Sequence, residues 1–209
     1  GEAVEILNGR GHIGRTRVES VDKRFARLVM ESVDYVAEPR LQVHLLVALP
    51  KGKTFPALLH KAVELGVTAI TPLVTDHVEV ALTRADEKRE HWRAVLVEAL
   101  KQSGNPWMPE LHASIDLKDY LTRESERQCL CAALQSDARP LWNLLREGLR
   151  REGLIDVLIG PEGDFSGDEY ARLREAGCAF CSLGPLVLKV ETAASLVVGT
   201  LQVWAQGAD

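Results

Sequence analysis

With 209 residues, 46% hydrophobic and 26% charged, the chain has room for one large globular domain, or one domain and an appendage. Its net charge of −5 argues against a nucleic-acid binder driven by charge alone, because phosphate neutralisation draws on clustered Lys and Arg. No apolar run approaches the ~18 residues of a membrane span, and the opening GEAVEILNG has neither a basic flank nor a signal core. A cytoplasmic protein is expected, with residues preceding Gly1.

Residues 2–34 read as three strands: AVEIL, HIGRTRVESV after the Asn8-Gly9-Arg10-Gly11 turn, and FARLVMESV after Asp22-Lys23. A meander of this size cannot bury enough apolar surface to stand alone. Arg10, Arg15, Arg17, Lys23, Arg24 and Arg27 give it positive charge. Six carboxylates (Glu2, Glu5, Glu19, Asp22, Glu31, Asp34) make a solvated strand face an equal reading of those charges. Val36–Pro39 is the expected linker.

Arg40–Leu49 is apolar and β-prone enough to open the main sheet. A helix over Phe55–Leu65 follows, with Leu58, Ala62 and Leu65 on one face and Gly66 as its stop. Thr68–Val74 is the next strand, and Asp76–Leu82 is ambiguous. The spacing of Trp92, Leu96 and Leu100 predicts a long helix from about Arg84 to Ser103, ended by Gly104-Asn105-Pro106. Asp116 and Asp119 open a short helix. Gln128–Leu134 is a strand, and Pro140–Arg151 a helix with Leu141, Leu144, Leu145 and Leu149 inward. The alternation of strand and helix predicts an α/β fold with a mostly parallel sheet.

The four cysteines fall as Cys129-x-Cys131 and Cys178-x-x-Cys181. The first two share one face of a strand and the second pair lacks a zinc-knuckle glycine. All four are expected as buried free thiols, with neither metal nor disulfide.

The stretch Leu154–Trp204 carries the densest information. Two apolar runs, LIDVLI and CAFCSL, each break into a glycine-proline loop and then a helix. The first run is interrupted only by Asp156, as suits a strand covered on both faces. Ser166 and Glu169 form an S-x-x-E capping box that starts a helix near Gly167. Gly160 and Gly163 leave backbone amides open to a ligand, Pro161 fixes its own φ, and Glu162 sits at the apex. The pattern recurs at Gly184-Pro185, before Glu191-Thr192 opens the last helix. Two such loops at the carboxyl ends of parallel strands converge on one ligand. The residues alone describe a pocket for a small ligand with adenine-like or phosphate character, without the spacing of a dinucleotide fold or the lysine of a P-loop.

The strings IGPEGDFSGDE and LGPLVLKVETA resemble the signature pair of the 16S ribosomal RNA uridine-N3 methyltransferases, a family of the SPOUT class. ALPKGKTFPALLHKAVELGVTAITPL and EALKQSGNPWMPEL resemble its earlier segments, so the likeness covers most of residues 40–206. The resemblance implies a SPOUT α/β trefoil knot over residues 40–209, preceded at 1–36 by part of a PUA-like β-barrel whose opening strands are absent. It implies S-adenosylmethionine (SAM) as cofactor, with no metal. The implied cofactor residues are Leu134 and Gln135, then Ile159, Gly160, Pro161, Glu162 and Gly163, then Leu183, Gly184, Pro185, Val187 and Leu188, with Thr192 and Ala193. Glu162, Lys189 and Glu191 are the implied catalytic groups: a carboxylate to accept the uridine imide proton, a lysine to hold the oxyanion or a phosphate. Arg10, Arg15, Arg17, Lys23 and Arg24 are the implied contacts to ribosomal RNA or the small subunit. The family carries a basic residue where this chain has Leu186, arginine at Lys189, glycine at Asp164 and arginine at Asn105, so a SPOUT-like RNA-binding protein with weak or no catalysis is the rival reading. A nucleotide-binding metabolic enzyme is the third. The last helix carries small residues Ala193, Ala194 and Ser195, then Leu196, Val197, Val198, Leu201, Val203 and Trp204 over more than one face. With the family, that surplus implies a homodimer.

Overall fold

The computed structural model of the chain describes residues 1–50, 54–77, 87–122 and 127–207. Strands β1 (Ala3–Leu7), β2 (His12–Val21) and β3 (Ala26–Tyr35) form an antiparallel sheet in the order β1-β2-β3. Asn8 closes the first turn by accepting from the backbone N–H groups of Arg10 at 2.7 Å and His12 at 3.1 Å. The sheet buries little: Val29, Met30 and Val33 stay exposed, as a piece too small for its own core must leave them. Its anchor is Trp107, whose Nε1 donates to the Val36 carbonyl at 3.0 Å and whose ring meets Tyr35 edge-on.

The main sheet contains β4 (Leu41–Ala48), β5 (Ala69–Val74), β6 (Glu110–Leu111), β7 (Ile115–Asp116), β8 (Gln128–Ala132), β9 (Arg139–Pro140), β10 (Gly153–Ile159) and β11 (Ala179–Ser182). Its order is β6-β5-β4-β10-β8-β11-β9, with β7 also on β5, and each of these pairings is parallel. Helices α1 (Thr54–Glu64), α2 (Arg89–Ser103), α3 (Leu117–Leu121), α4 (Leu141–Glu147), α5 (Gly167–Glu175) and α6 (Val190–Gln206) cover its faces. No helix among the described residues is long and apolar enough to cross a membrane.

The period-2 alternation of the central strands divides the core in two. Val43, Leu45, Val157 and Ile159 pack one way, against α1, α2, α4 and α6. Leu46, Leu158, Leu73 and Cys131 pack the other way, against α3, α5 and Phe165. Toward the amino ends of the strands, that second face turns polar at His44, Thr71 and Asp156, all at least nine-tenths buried.

Several boundaries differ from the sequence reading. Helix α2 begins at Arg89, and residues 78–86, including most of the ambiguous Asp76–Leu82 stretch and the expected helix start, lie outside the described residues. Helix α4 stops at Glu147 rather than Arg151, because Gly148 leaves the helical conformation for an extended φ of −168°. The two-residue strands β6, β7 and β9 have no period long enough to read. The cysteines need a correction: Cys129 and Cys178 form a disulfide, while Cys131 and Cys181 are free and buried. Register is the reason. Leu130 on β8 pairs with Ala179 on β11, so the residues just before them meet, with Cα atoms 4.6 Å apart.

The capping box forms in full at α5. The Glu169 N–H donates to Ser166 Oγ at 3.2 Å, and the Ser166 N–H to Glu169 Oε2 at 2.8 Å. Ser166 Oγ also donates to Asp76 Oδ2 at 2.6 Å, beyond what an isolated cap offers. Ser166→Ala is therefore expected to cost about 1–2 kcal/mol, read as a lowered denaturant midpoint at unchanged slope. An unchanged midpoint would refute the cap's contribution.

Candidate functional site

The carboxyl ends of β8, β10 and β11 open into a cleft of about 280 Å³. Ala132, Ala133 and Ile159 line it at the strand ends, together with residues of the loops that follow these strands.

The loop after β10 is held by several independent bonds. Asp164 adopts the left-handed conformation at φ 62°, which aspartate tolerates better than most residues because its short side chain bonds locally. Here Asp164 Oδ1 accepts from the Phe165 N–H at 2.9 Å and from the Tyr170 hydroxyl at 2.6 Å. Burial and that carboxylate push the Tyr170 phenol far above its usual range, so it stays a donor. This is how the chain accommodates aspartate where the resembling family has glycine. The strand-end segment after β5 braces the same loop: His77 Nδ1 donates to the Asp164 carbonyl at 2.8 Å, and the Asp76 N–H to Glu169 Oε1 at 2.9 Å. The Ser166 hydroxyl keeps the Asp76 carboxyl below the ordinary carboxylate range.

The loop after β11 turns on Gly184, whose φ of 127° strains any side chain even though the space around it is open. Leu186 and Val187 form an exposed lip, and Lys189 takes the N-cap position of α6.

The cleft lining includes Leu134, Ile159, Gly160, Pro161, Glu162, Leu183, Gly184, Val187, Leu188, Lys189 and Ala193 from the sequence reading. Gln135, Gly163, Pro185 and Thr192 fall outside it. Gln135 lies within reach of Arg174, and the α-carbon of Gly163 faces the His77 ring. The Thr192 N–H is spent on the Lys189 carbonyl. Glu191 also stands outside the lining, in the first turn of α6, where a carboxylate suits the helix dipole. Sequence reasoning missed Ala132, Ala133, Asp164 and Val190 as lining residues, whereas Leu186 falls within the 183–188 loop expected to touch the cofactor. The departure at 164 was the available signal for one of them.

The proposed RNA contacts lie apart, on the antiparallel sheet. Arg15 pairs with Asp34 at 3.2 Å and Glu5 at 3.6 Å, and Arg17 with Glu31 at 2.8 Å. Those cations are balanced by neighbours on their own sheet. Arg10 bridges to Trp107 through its backbone, and Lys23 and Arg24 occupy the exposed β2–β3 turn.

The model of the RNA methyltransferase domain family matches residues 37–202, from within the Val36–Pro39 linker through most of α6. The chain belongs to the RNA methyltransferase family. It is 28% identical over 204 residues to ribosomal RNA small subunit methyltransferase E of Synechocystis, covering 96% of this chain and 66% of that protein. The Bacillus subtilis protein of the same name is 27% identical over 200 residues, covering 92% and 78%. The chain thus spans about two thirds to four fifths of these relatives' lengths. A crystal structure of the Neisseria gonorrhoeae methyltransferase E bound to S-adenosyl methionine superposes with a TM-score of 0.85 at 26% identity, over 97% of this chain and 83% of that one.

The cleft at the ends of β8, β10 and β11 has features that suit such a cofactor. Leu134, Ile159 and Leu188 give it apolar walls, Gly184 leaves a side-chain-free stretch, and the carboxylates of Glu162 and Asp164 suit a cationic ligand.

Proposed function

We propose that this chain is a SAM-dependent methyltransferase acting on uridine N3 of small-subunit ribosomal RNA. The cleft at the carboxyl ends of β8, β10 and β11, in a chain of this family, is the observation that carries the reading. The relatives' names and the cofactor in the Neisseria structure support it.

The residues that would hold the cofactor are those of the cleft: Leu134, Ile159 and Leu188 against the apolar adenosine faces, and the Gly160 and Gly184 backbones at close approach. SAM supplies a methyl group made electrophilic by its sulfonium. The chain must then supply a base for the uridine imide proton and a positive charge for the oxygen that gains electron density. Glu162 and Lys189, two of the three implied catalytic groups, line the cleft and fit these roles. Glu162 accepts the proton, and Lys189 stabilises the uridine oxyanion. Lysine offers a point charge where arginine offers a bidentate fork, so substrate orientation rests more on the loop.

The reading extends to three structural proposals. The β11–α6 segment is the threaded part of a trefoil knot, residues 1–36 belong to a PUA-like barrel, and Lys23 and Arg24 touch RNA through their exposed turn. The subunits pair through α6, for which the outward strip of Leu196 and Val203 beside Trp142 is the support: these are 44%, 72% and 60% exposed. Gly199 and Thr200 lie between them and allow close backbone approach. Leu201 is fully buried, so its substitution would test the fold instead. Val203→Glu is expected to give a folded monomer by light scattering where the unmutated chain gives a dimer at micromolar concentration; a monomer in both would end this proposal.

The functional test is methyl transfer from SAM to small ribosomal subunits lacking the modification, with the modified uridine located by mass spectrometry. Methylation at N3 is expected. Cofactor binding without any methylated uridine would favour the non-catalytic RNA-binding rival.

A further inference from the structure

The turn between β8 and β9 carries part of the cleft lining, yet its own backbone bonds are few. The Ala133 N–H extends the sheet by one bond, donating to the Cys181 carbonyl at 3.0 Å, and the Ala138 N–H closes the turn on the Gln135 carbonyl at 3.0 Å. Between them, Leu134 lines the cleft while 59% exposed, so its placement depends on the turn that carries it more than on packing.

That turn is gripped from α5. Arg174 Nε donates to Asp137 Oδ2 at 2.8 Å and Nη2 to Asp137 Oδ1 at 3.0 Å, so both carboxylate oxygens are engaged by one planar fork. Nη2 also reaches Gln135 Oε1, in the same turn, at 3.5 Å. The guanidinium itself lies over the Phe180 ring, 4.8 Å from its centroid, and 5.9 Å from that of Tyr170. Both rings are buried in the second core. The fork is thus seated on rigid structure and holds a mobile type of element, a surface turn, at its outer edge.

The neighbouring loop shares this support. Tyr170 stands one helical turn before Arg174 on the same face of α5, and its hydroxyl donates to Asp164 Oδ1 at 2.6 Å in the loop after β10. Asp164 lines the cleft as Leu134 does. Two stacked side chains of α5 therefore set the spacing of two loops of the cleft.

An exposed ion pair usually adds little to stability, and a cation in the last turn of a helix suits the dipole without any partner. Neither role calls for a fork that stacks on buried rings and engages two residues of one turn. The Arg174 and Asp137 side chains are 43% and 49% exposed, so removing the pair leaves the core packed.

We propose that Arg174 is a positioning residue for the cofactor site: through Asp137 it fixes the turn that brings Leu134 to the cleft, and so raises SAM affinity without touching the cofactor. This role rests on the cleft being the SAM site.

Calorimetric titration of the full chain with SAM separates the two claims. No binding by the unmutated protein overturns both, before any variant is compared. Given binding, Arg174→Gln and Asp137→Asn are each expected to weaken SAM roughly fivefold or more, because the cofactor must then order the turn itself. Unfolding should stay cooperative, at a denaturant midpoint close to the parent's. The double variant is expected to lose no more than the weaker-binding single one, since the two residues act through one contact. Arg174→Lys should fall close to Arg174→Gln, because an ammonium keeps the charge but neither forks nor stacks as a plane. Hydrogen exchange without cofactor gives the readout that is independent of binding: the Ala138 amide should exchange faster in each variant while the amides of β10 keep the parent's rate. Unchanged SAM affinity in Arg174→Gln, full affinity in Arg174→Lys, additive losses in the double variant, or parent-like exchange at Ala138 would each overturn the role of Arg174 and leave the cleft as the SAM site.

Discussion

Gly160→Val is expected to weaken SAM binding roughly 100-fold, about 2.7 kcal/mol. A Cβ at this position would stand 3.1 Å from two carbons of the Phe165 ring. That ring cannot yield, because it is 4% exposed and wedged edge-on against Tyr170 in the second core. Overpacking of this kind costs about 1–3 kcal/mol, and the β-branch adds two methyl groups to the conflict. The loop is the softer partner, so it moves toward the cleft and fills space the cofactor needs. Gly184→Val should also lose affinity by a different route, backbone strain at a φ of 127° without any clash. Calorimetric titration with SAM, beside circular dichroism to verify the fold, checks both. Unchanged affinity in the Gly160 variant would remove the loop from the cofactor site.

The largest stability effect is expected at Asp156. Asp156→Ala removes the acceptor of His44 Nδ1 and of the Tyr120 hydroxyl, and a carboxylate beside Arg127. Leaving a buried hydrogen-bonding group such as His44 unsatisfied costs about 1–3 kcal/mol. Burial alone would raise the Asp156 pKa, but hydrogen bonds from His44 and Tyr120 and the nearby positive charge outweigh it and hold the carboxyl below its ordinary value. The sign follows from linkage: the ionised form is favoured in the folded state, so its stabilisation is complete above the unfolded-state value of about 3.9. It is lost as pH falls through the lower folded value. The gap between parent and variant should therefore stay level through neutral pH and narrow only below about pH 4. A loss under 1 kcal/mol in urea unfolding at pH 7 would show that the network contributes little.

Much of this architecture is legible in the sequence because it rests on local chemistry. The capping box at Ser166 and Glu169, the αL stop at Gly104 and the near-continuous apolar run of β4 each depend on residues a few positions apart. The glycine-proline loops likewise announce a cleft, and most of the residues read from them line it. What escaped reading depends on register between distant strands. Cys129 meets Cys178 across 49 residues, and His44 meets Asp156 across 112, through pairings that no local pattern specifies. Asp164 was visible as a departure from glycine, but its role as the acceptor that fixes Phe165 and Tyr170 required the turn itself. Glu191 fell outside the cleft because the helix it opens starts one residue earlier, with Lys189 as its cap.

The bracing of the β10 loop by the end of β5 also has a kinetic meaning. His77 reaches Asp164 across 87 residues and Asp76 reaches Glu169 across 93, so the loop gains its final shape only after β4 has brought β5 and β10 into one sheet. Closing so long a segment is slow compared with forming α5 or a strand pair. Cofactor affinity should accordingly be among the last properties to emerge during refolding, later than helical signal. A fluorescent SAM analogue would then serve as a clock for the completion of the sheet.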